Sequence, residues 1–485
     1  MERRFFINRH FRLLWWGQAL STFGEFLIGA TVGVWLVSEL LKNDPQLPFA
    51  VGLTVAAVTL PRIVIAPLAG AWIDHARPLH VMLMADVLRL FTLAAFIAAS
   101  AWGQLTPWST VYSVCVVLLI NSSAAQYFAP ARACIMQVIV PSDQRSHAAA
   151  IGMFSVTGVG ILAAALGPLL FSIHGAMAAF VLAIAGLTGS ILCVVRITGF
   201  NTRIESHASA QGYGRSLMAG VQLAWTHPTL RLMMAGTALY GISLGINNPV
   251  LPLFGMRTLN RTPAEYGVLM AMFPLGGLSA TLFSPLLAKH LRAETLTCGA
   301  LFLLGLTNFA YALSRGDLLP PLTMYLSGVC FSLYATALGP VLQTHVPVGY
   351  MARISSLSNP VLAVCSLLAT AAVSCVLVHV NADDSPIDAP TAALVLSAAV
   401  LLSGAGLLLK SLKSSAPVSR LKTVGSSAIT PSTTIRVPRP QGCAPSGCVD
   451  FIHGRRRGNR QRAPLMPCKT CRICSPDEER PLCTP

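Results

Sequence analysis

Long apolar stretches alternate with short polar segments over the first 410 residues of the chain. Each stretch is roughly 18–26 residues long, the length that an α-helix needs to cross about 30 Å of hydrocarbon. Membrane-spanning β-strands would be about ten residues long and would alternate in polarity, and this pattern does neither. The pattern therefore predicts an all-α membrane protein with twelve transmembrane helices. Their approximate bounds are 11–36, 49–73, 80–101, 108–127, 148–173, 176–195, 230–254, 266–288, 296–313, 318–342, 354–380 and 392–409.

The longest internal polar segment follows the sixth predicted span and divides the helices into two sets of six. We expect residues 1–195 to form one six-helix bundle, 196–229 a cytoplasmic linker, and 230–410 a second six-helix bundle. Two bundles of this kind leave a cavity between them near the middle of the membrane. From residue 411 the chain is rich in Ser, Pro, Arg and Cys without apolar periodicity, so 411–485 is predicted to be a disordered, basic tail.

The composition agrees with a membrane protein and argues against two other classes. Apolar residues make up 54% of the chain and charged residues 11%, whereas a soluble domain usually carries about 25% charged residues. A net charge of +16 would suggest nucleic acid in a soluble protein, but basic residues also collect in the cytoplasmic loops of membrane proteins. No nucleotide-binding or catalytic motif stands in a credible context. We therefore expect no enzyme activity, no nucleic-acid binding, no cofactor and no metal.

The basic residues are distributed unevenly between the two sides of the predicted spans. Basic side chains favour the cytoplasmic side of a membrane, so the bias predicts an even number of spans with both termini in the cytoplasm. The cytoplasmic residues would be Arg3, Arg4, Arg9, Arg12, Arg77, Arg132, Arg145, Arg196, Arg203, Arg215, Lys289, Arg292 and Arg353. The outer residues would be Lys42, Arg257, Arg261 and Arg315.

Five segments resemble the major facilitator superfamily, in particular its bacterial branch of macrolide-efflux and enterobactin-exporter-like proteins. These segments are 11–18, 60–70, 85–89, 130–141 and 226–228. Their order and spacing extend the resemblance over about residues 8–410. The resemblance implies a secondary transporter that moves a small molecule by alternating access of two bundles.

The superfamily's sequence signature between its second and third helices is partly present. Gly70 and Asp74 occupy its Gly-x-x-x-Asp positions. The signature continues with several basic residues, of which this chain has Arg77. In the family this segment is a latch between the cytoplasmic ends of helices, so the resemblance implies a latch at Gly70, Asp74 and Arg77. Asp86 and Arg89 lie three residues apart on one helical face and are expected to form an ion pair with Asp74.

Ionisable residues inside a predicted span are costly, so each is a candidate for function. Glu25 lies near the middle of the first span, where it could take up a proton in one state and release it in another, or attract a cationic substrate. A neutral carboxylic acid hydrogen-bonded to another helix is the alternative. Arg62, in the second span, could pair with Glu25, bind an anionic group of the substrate, or extend to the membrane surface.

Residues of the seventh and eighth spans are candidates for substrate contacts, because most ligand sites are apolar with a few polar anchors. Asn247 and Asn248 precede Pro249, which suggests a locally broken helix with polar anchors; hydrogen bonding between helices is the alternative. Tyr240 and Phe273 are candidates for an aromatic cavity wall, although aromatic residues near span ends often belong to interfacial belts.

The tail contains a cysteine pattern with the spacing of metal ligands. Cys468, Cys471 and Cys474 are separated by two residues each, and Cys483 or His453 could be a fourth zinc ligand. The tail has little apolar content to fold around a metal, so an unconstrained extension is favoured and no metal is predicted.

Together these features predict a monomeric, proton-driven exporter in the bacterial inner membrane, with protons, lipids and a small-molecule substrate as partners. The substrate would be a macrolide-like drug, a siderophore or another secondary metabolite. A nutrient uptake symporter and a membrane sensor or scaffold without transport activity are the alternatives.

Overall fold

The computed structural model describes residues 6–73, 76–103, 106–141, 144–197, 228–345, 351–379 and 388–414. Within these ranges the chain forms twelve long α-helices and two π-helical turns. The helices of the first half are α1 (Arg9–Trp35), α2 (Leu47–Ile73), α3 (Pro78–Trp102), α4 (Pro107–Ile139), α5 (Arg145–His174) and α6 (Ala176–Val195). Those of the second half are α7 (Pro228–Leu253), α8 (Pro263–His290), α9 (Ala293–Leu313), α10 (Leu319–His345), α11 (Met351–His379) and α12 (Ala389–Ser414). The π-helical turns, Leu36–Leu40 and Phe254–Thr258, directly follow α1 and α7.

Each half packs as six helices in the same arrangement. In the first half α1 packs against α5 and α6, α2 against α4, and α3 against α4 and α6. In the second half α7 packs against α11 and α12, α8 against α10, and α9 against α10 and α12. Helices at equivalent positions therefore have equivalent neighbours. By length and composition alone, nine helical stretches of the described residues are able to cross a membrane. The prediction of an all-α membrane protein with twelve helices in two bundles is confirmed.

Local sequence signals set several of the helix ends. Asn8 precedes α1, and its side chain accepts a hydrogen bond from the backbone N–H of Phe11 at 2.7 Å. Before α8, Thr262 and Glu265 form a capping box, in which each side chain accepts from the other's backbone N–H. These side chains satisfy N–H groups that a helix start leaves without a partner.

The connection between α5 and α6 consists of a single residue, Gly175. Its φ of +76° lies in the left-handed region, which residues with a Cβ atom seldom adopt. This glycine allows one apolar stretch to become two antiparallel helices, as the predicted boundary between the fifth and sixth spans requires.

The two ends of the molecule differ in how the halves meet. We call the end that carries the α1–α2 turn (41–46) and the α7–α8 turn (259–262) the loop end, and the end where α1 begins the terminal end. At the loop end both halves contribute to one hydrophobic core, which joins Val32 and Val51 to Val250 and Leu253.

Close helix contacts cross between the halves at the loop end. Gly52 of α2 lies against Ser374 of α11, and a Cβ atom at Gly52 would fall 2.7 Å from the Cβ of Ser374 and in contact with its hydroxyl. Gly267 of α8 lies against α5 in the same way, since a Cβ there would fall 3.0 Å from the Cβ of Pro168. We call these contacts the loop-end seal, and they are possible because glycine lets helix backbones approach closely.

Two polar features belong to the loop-end seal. Arg257, from the π-helical turn after α7, donates a hydrogen bond across the halves to the backbone carbonyl of Lys42 at 2.7 Å. The hydroxyl of Ser374 is buried in the seal and has no hydrogen-bond partner among the described residues.

Away from the loop end the described residues form two further cores, one in each half. The first lies at the terminal end and joins residues of α1, α3, α4, α5 and α6, including Phe11, Met82 and Ile135. The second joins residues near the middle of α9, α10 and α12, including Leu301 and Leu401. In the described part of the chain, therefore, the halves share a core at the loop end and have separate cores away from it.

Candidate functional site

A charged cluster lies inside the first bundle, and Arg89 of α3 is its centre. The Nη2 of Arg89 donates to Glu25 Oε2 at 3.0 Å, and its Nε donates to the backbone carbonyl of Asn121 at 3.1 Å. Its Nη1 donates to the hydroxyl of Ser21 at 2.9 Å. The guanidinium therefore ties α3 to α1 and α4. Its side chain is only 3% exposed, so these partners replace the water that the charge would otherwise need.

Asp86 is the second carboxylate of the cluster, one helical turn before Arg89. Its Oδ1 accepts from Ser21 at 2.9 Å and its Oδ2 accepts from Ser190 of α6 at 2.6 Å. Its distance to Arg89 Nη1 is 3.8 Å, which is beyond hydrogen-bond length. The Ser21 hydroxyl lies between the two charged groups, because it accepts from Arg89 and donates to Asp86.

The two carboxylates differ in access. The side chain of Asp86 is 1% exposed, whereas that of Glu25 is 30% exposed. The carboxylate of Glu25 can therefore be reached from outside the bundle, whereas that of Asp86 is enclosed within it. Because α1, α3, α4 and α6 all contribute, the cluster joins four of the six helices of the first half.

A neutral hydroxyl and amide network occupies the equivalent helices of the second half. Ser243 of α7 and Ser397 of α12 share a hydrogen bond of 2.8 Å, and Asn308 of α9 donates to Ser243 at 3.4 Å. Ser327 of α10 donates to Thr307 at 2.9 Å. The arrangement of helices is the same as in the charged cluster, but the described residues of this network carry no charge.

The second half also contains an array of aromatic rings. Tyr240 of α7 stacks on Phe331 of α10 with ring centroids 4.9 Å apart and planes at 24°. Phe331 in turn lies 5.6 Å from Phe273 of α8. All three side chains are half-buried, and Tyr240 and Phe331 pack on the edge of the second half's own core. We call these three residues the aromatic array; it joins two of the predicted site residues through Phe331.

The other predicted residues of the substrate site lie apart from these groups. Arg62 is exposed on α2 and forms no ion pair among the described residues, so the partner of Glu25 is Arg89 rather than Arg62. Asn247 and Asn248 are half-buried on α7. The Oδ1 of Asn247 is buried without a hydrogen-bond partner within the described ranges.

The break predicted in the helix at Asn247–Pro249 is wrong, because α7 continues to Leu253. A proline removes the hydrogen bond that its N–H would donate to the carbonyl four residues earlier, which is that of Gly245. The hydroxyl of Thr370 in α11 donates to this carbonyl at 2.8 Å. A side chain from a neighbouring helix thus replaces the missing bond, as membrane helices allow.

The predicted latch residues are described only in part. Asp74 lies outside the described residues, so its ion pair with Asp86 and Arg89 stays a prediction. Gly70 is in α2 near its end, and Arg77 is exposed immediately before α3. The described partners of Asp86 and Arg89 all belong to the charged cluster.

The tail was predicted to begin at residue 411, but the last helix continues to Ser414; the rest of the tail with its cysteines, 415–485, lies outside the described residues. Within the described part of the chain no group of three His, Cys, Asp or Glu side chains is placed to hold a metal ion.

Sequence reasoning missed Ser21, Ser190 and Phe331. A serine in a membrane span is common and gives no signal by itself, and only tertiary packing shows that Ser21 and Ser190 bind Asp86. Phe331 had a signal: it lies nine residues after Leu322, which is exposed, and so on the opposite face of α10 from it.

Two matched six-helix bundles that join at one end are the architecture of the major facilitator fold, and solved structures with this fold are similar to the chain. A bacterial homologue of the iron transporter ferroportin in its inward-facing state is similar with a TM-score of 0.61 and 16% identity, over 82% of this chain and 99% of that one. Its outward-facing structure is similar with a TM-score of 0.53 and 16% identity, over 82% of this chain and 100% of that one.

The comparison of sequences identifies the family. A family model described as transmembrane secretion effector matches residues 5–433, and the chain belongs to this family. Macrolide efflux protein A of Streptococcus pyogenes is 21% identical over 364 residues, which is 73% of this chain and 85% of that protein.

Proposed function

We propose that this protein exports a small organic molecule by alternating access, driven by the proton gradient. The observation that carries the proposal is the combination of a core shared by the two halves at the loop end with separate cores, one in each half, away from that end. Alternating access requires two bundles that can part at one end while they are joined at the other. The charged cluster supplies a proton-accessible carboxylate, Glu25, within one of these bundles.

The uneven distribution of basic residues supports a terminal end in the cytoplasm of a bacterial cell, with both chain termini there. In that orientation the loop-end seal closes the described conformation towards the outside, and we infer that its halves part towards the cytoplasm, as in an exporter that takes up cargo. The higher similarity to the inward-facing than to the outward-facing ferroportin homologue supports the same assignment.

The aromatic array supports an apolar or amphipathic cargo, because aromatic side chains bind ligands through large apolar faces. The relatives named macrolide efflux protein A support a macrolide-like compound as the first candidate. A siderophore or another secondary metabolite is the second, since the same half-buried rings suit any large organic molecule.

Replacing Glu25 by Gln is expected to uncouple export from the proton gradient, because an amide cannot take up and release a proton. Purified protein in liposomes would be supplied with radiolabelled erythromycin, with and without an imposed pH gradient. We expect gradient-driven transport to fall at least tenfold, while transport down an erythromycin gradient persists.

The matched control is Glu39→Gln, since Glu39 follows α1 on the same chain segment and is exposed at the loop end. This variant should transport like the unmodified chain. Full proton coupling in Glu25→Gln would remove Glu25 from the mechanism, and erythromycin accumulation in cells that express the chain would favour uptake over export.

Replacing Phe331 by Ala is expected to weaken cargo binding, because it removes the ring that joins Tyr240 to Phe273. Loss of such a contact corresponds to a rise of about two- to tenfold in the half-saturating erythromycin concentration. Phe309→Ala is the matched control, since Phe309 is exposed on α9. Equal effects of the two substitutions would argue against the aromatic array as a binding surface.

A further inference from the structure

We propose that Arg89 is shared between two carboxylates, Glu25 and Asp86, and moves towards Asp86 when Glu25 takes up a proton. The inference rests on the proposed function and deepens it, since it names the group that responds when Glu25 is protonated. Glu25 binds the proton, while Asp86 and Arg89 are positioning residues.

The unequal distances around Arg89 carry the first part of the inference. Its Nη2 is within hydrogen-bond length of Glu25, at 3.0 Å, but its Nη1 is 3.8 Å from Asp86 Oδ1. Opposite charges in a buried site attract more strongly at hydrogen-bond length. A movement of less than 1 Å would bring Nη1 into hydrogen-bond range of Asp86, and Ser21 already bridges the gap.

The number of charged groups in the cluster supports the second part of the inference, that Glu25 takes up a proton. Among the described residues the cluster contains two acids and one cation, so it has one negative charge in excess when both acids are ionised. An unbalanced charge inside a membrane bundle is costly. One proton, taken from water and bound to an oxygen of Glu25, removes the excess and leaves Arg89 and Asp86 as a neutral pair.

Among the described residues no further charged group forms an ion pair with the cluster. The packed helices meet it through the carbonyl of Asn121 in α4 and the hydroxyl of Ser190 in α6. Helix α6 contains no Asp, Glu, Lys, Arg or His. The nearest cation of α4 along the chain, Arg132, donates to Gln18 of α1 at 2.6 Å. The other charged residues and histidines in the helices of the first half lie near the ends of α1, α3 and α5 or on the exposed face of α2: Arg9, His10, Arg12, His80, Arg145, His147, His174 and Arg62.

The two carboxylates differ in exposure, and this difference determines which of them binds the proton and which receives Arg89. Glu25 is 30% exposed and meets the proton first, whereas Asp86 is 1% exposed and is reached only through Arg89 and the two serines. Protonation at the accessible acid is thereby converted into a movement at the buried one, which also binds α1 and α6. A chemical event at one helix thus reaches three others.

The first test is a crystal structure of the full-length Glu25→Gln chain, in which the amide imitates a protonated Glu25. We expect the distance between Arg89 Nη1 and Asp86 Oδ1 to shorten from 3.8 Å to about 3 Å, the length of a charge-assisted hydrogen bond. An unchanged distance would overturn the proposal.

The second test is an infrared titration of the chain in liposomes, which follows the carbonyl band of protonated carboxylic acids. In Asp86→Asn, Arg89 pairs with Glu25 alone, so the Glu25 band should appear at a pH at least about one unit lower than in the unmodified chain, a tenfold weaker affinity for the proton. Glu39→Gln should leave the band unchanged. An Asp86→Asn band at the original pH would contradict the sharing of Arg89, and if that variant does not fold, the Glu25→Gln structure decides alone.

Neither test uses cargo. Absence of proton-driven erythromycin export would therefore contradict the proposed function but leave the movement of Arg89 towards Asp86 unaffected. An unchanged position of Arg89 in Glu25→Gln would contradict that movement but leave the proposed export unaffected.

Discussion

Arg89→Met is expected to destabilise the folded protein by about 3–5 kcal/mol, the usual effect of removing one partner of a buried ion pair. Asp86 would keep a buried charge without its cation, and both the Ser21 hydroxyl and the Asn121 carbonyl would lose a donor. The measurement is the yield of monodisperse protein in mild detergent together with its thermal unfolding midpoint.

Two variants make this prediction specific. Arg62→Met changes an exposed arginine that has no ion pair among the described residues, and it should unfold like the unmodified chain. Asp86→Asn combined with Arg89→Met removes the two fully buried charges and leaves only the more exposed Glu25, so it should recover most of the lost stability. If the double variant is no more stable than Arg89→Met, the loss comes from packing and the charge argument is wrong.

Gly52→Leu is expected to separate α2 from α11 at the loop-end seal and to reduce the rate of export at least tenfold. Even a Cβ atom at Gly52 would overlap Ser374, and a leucine side chain would force α2 and α11 apart in the conformation described here. The Cβ of Ser374 is fixed to the backbone of α11, so rotation of the Ser374 side chain cannot relieve this overlap.

The separation can be measured with spin labels at Lys42→Cys and Arg257→Cys, which lie on opposite halves at the seal, in a background without reactive cysteines. We expect a longer mean distance in Gly52→Leu. Gly406→Leu is the matched control, since a Cβ at Gly406 meets nothing within 4 Å. An unchanged distance and normal export in Gly52→Leu would show that the halves do not pack as described.

The architecture could be predicted from the sequence because it depends on patterns of apolar and polar residues that are local in the chain. A membrane helix needs about 20 apolar residues in succession, so the spans can be counted without any tertiary information. Gly175 and the caps at Asn8 and Thr262 are local signals too. These features depend on neighbours within a few residues along the chain.

The site was predictable only as a set of candidates. Glu25 was recognisable as a costly acid inside a span, but the sequence suggested Arg62 as its partner and assigned Arg89 to the latch with Asp74, whereas the partner is Arg89. Which arginine meets Glu25 depends on how α2 and α3 are rotated, and that rotation is set by packing among all six helices. The helix at Pro249 shows the same limit, because the hydroxyl that repairs it comes from Thr370, 125 residues from Gly245.

The unpaired hydroxyl of Ser374 has a consequence for the balance between conformations. A buried polar group without a partner costs about 1–3 kcal/mol, and water would satisfy this one as soon as α2 and α11 separate. The conformation in which the halves are joined at the loop end is therefore stabilised by apolar packing, but the unpaired hydroxyl reduces its free-energy advantage over a conformation in which they are parted. A transporter that alternates between two conformations in every cycle works fastest when neither conformation is much lower in free energy than the other. The unpaired hydroxyl of Ser374 brings this protein nearer to that condition.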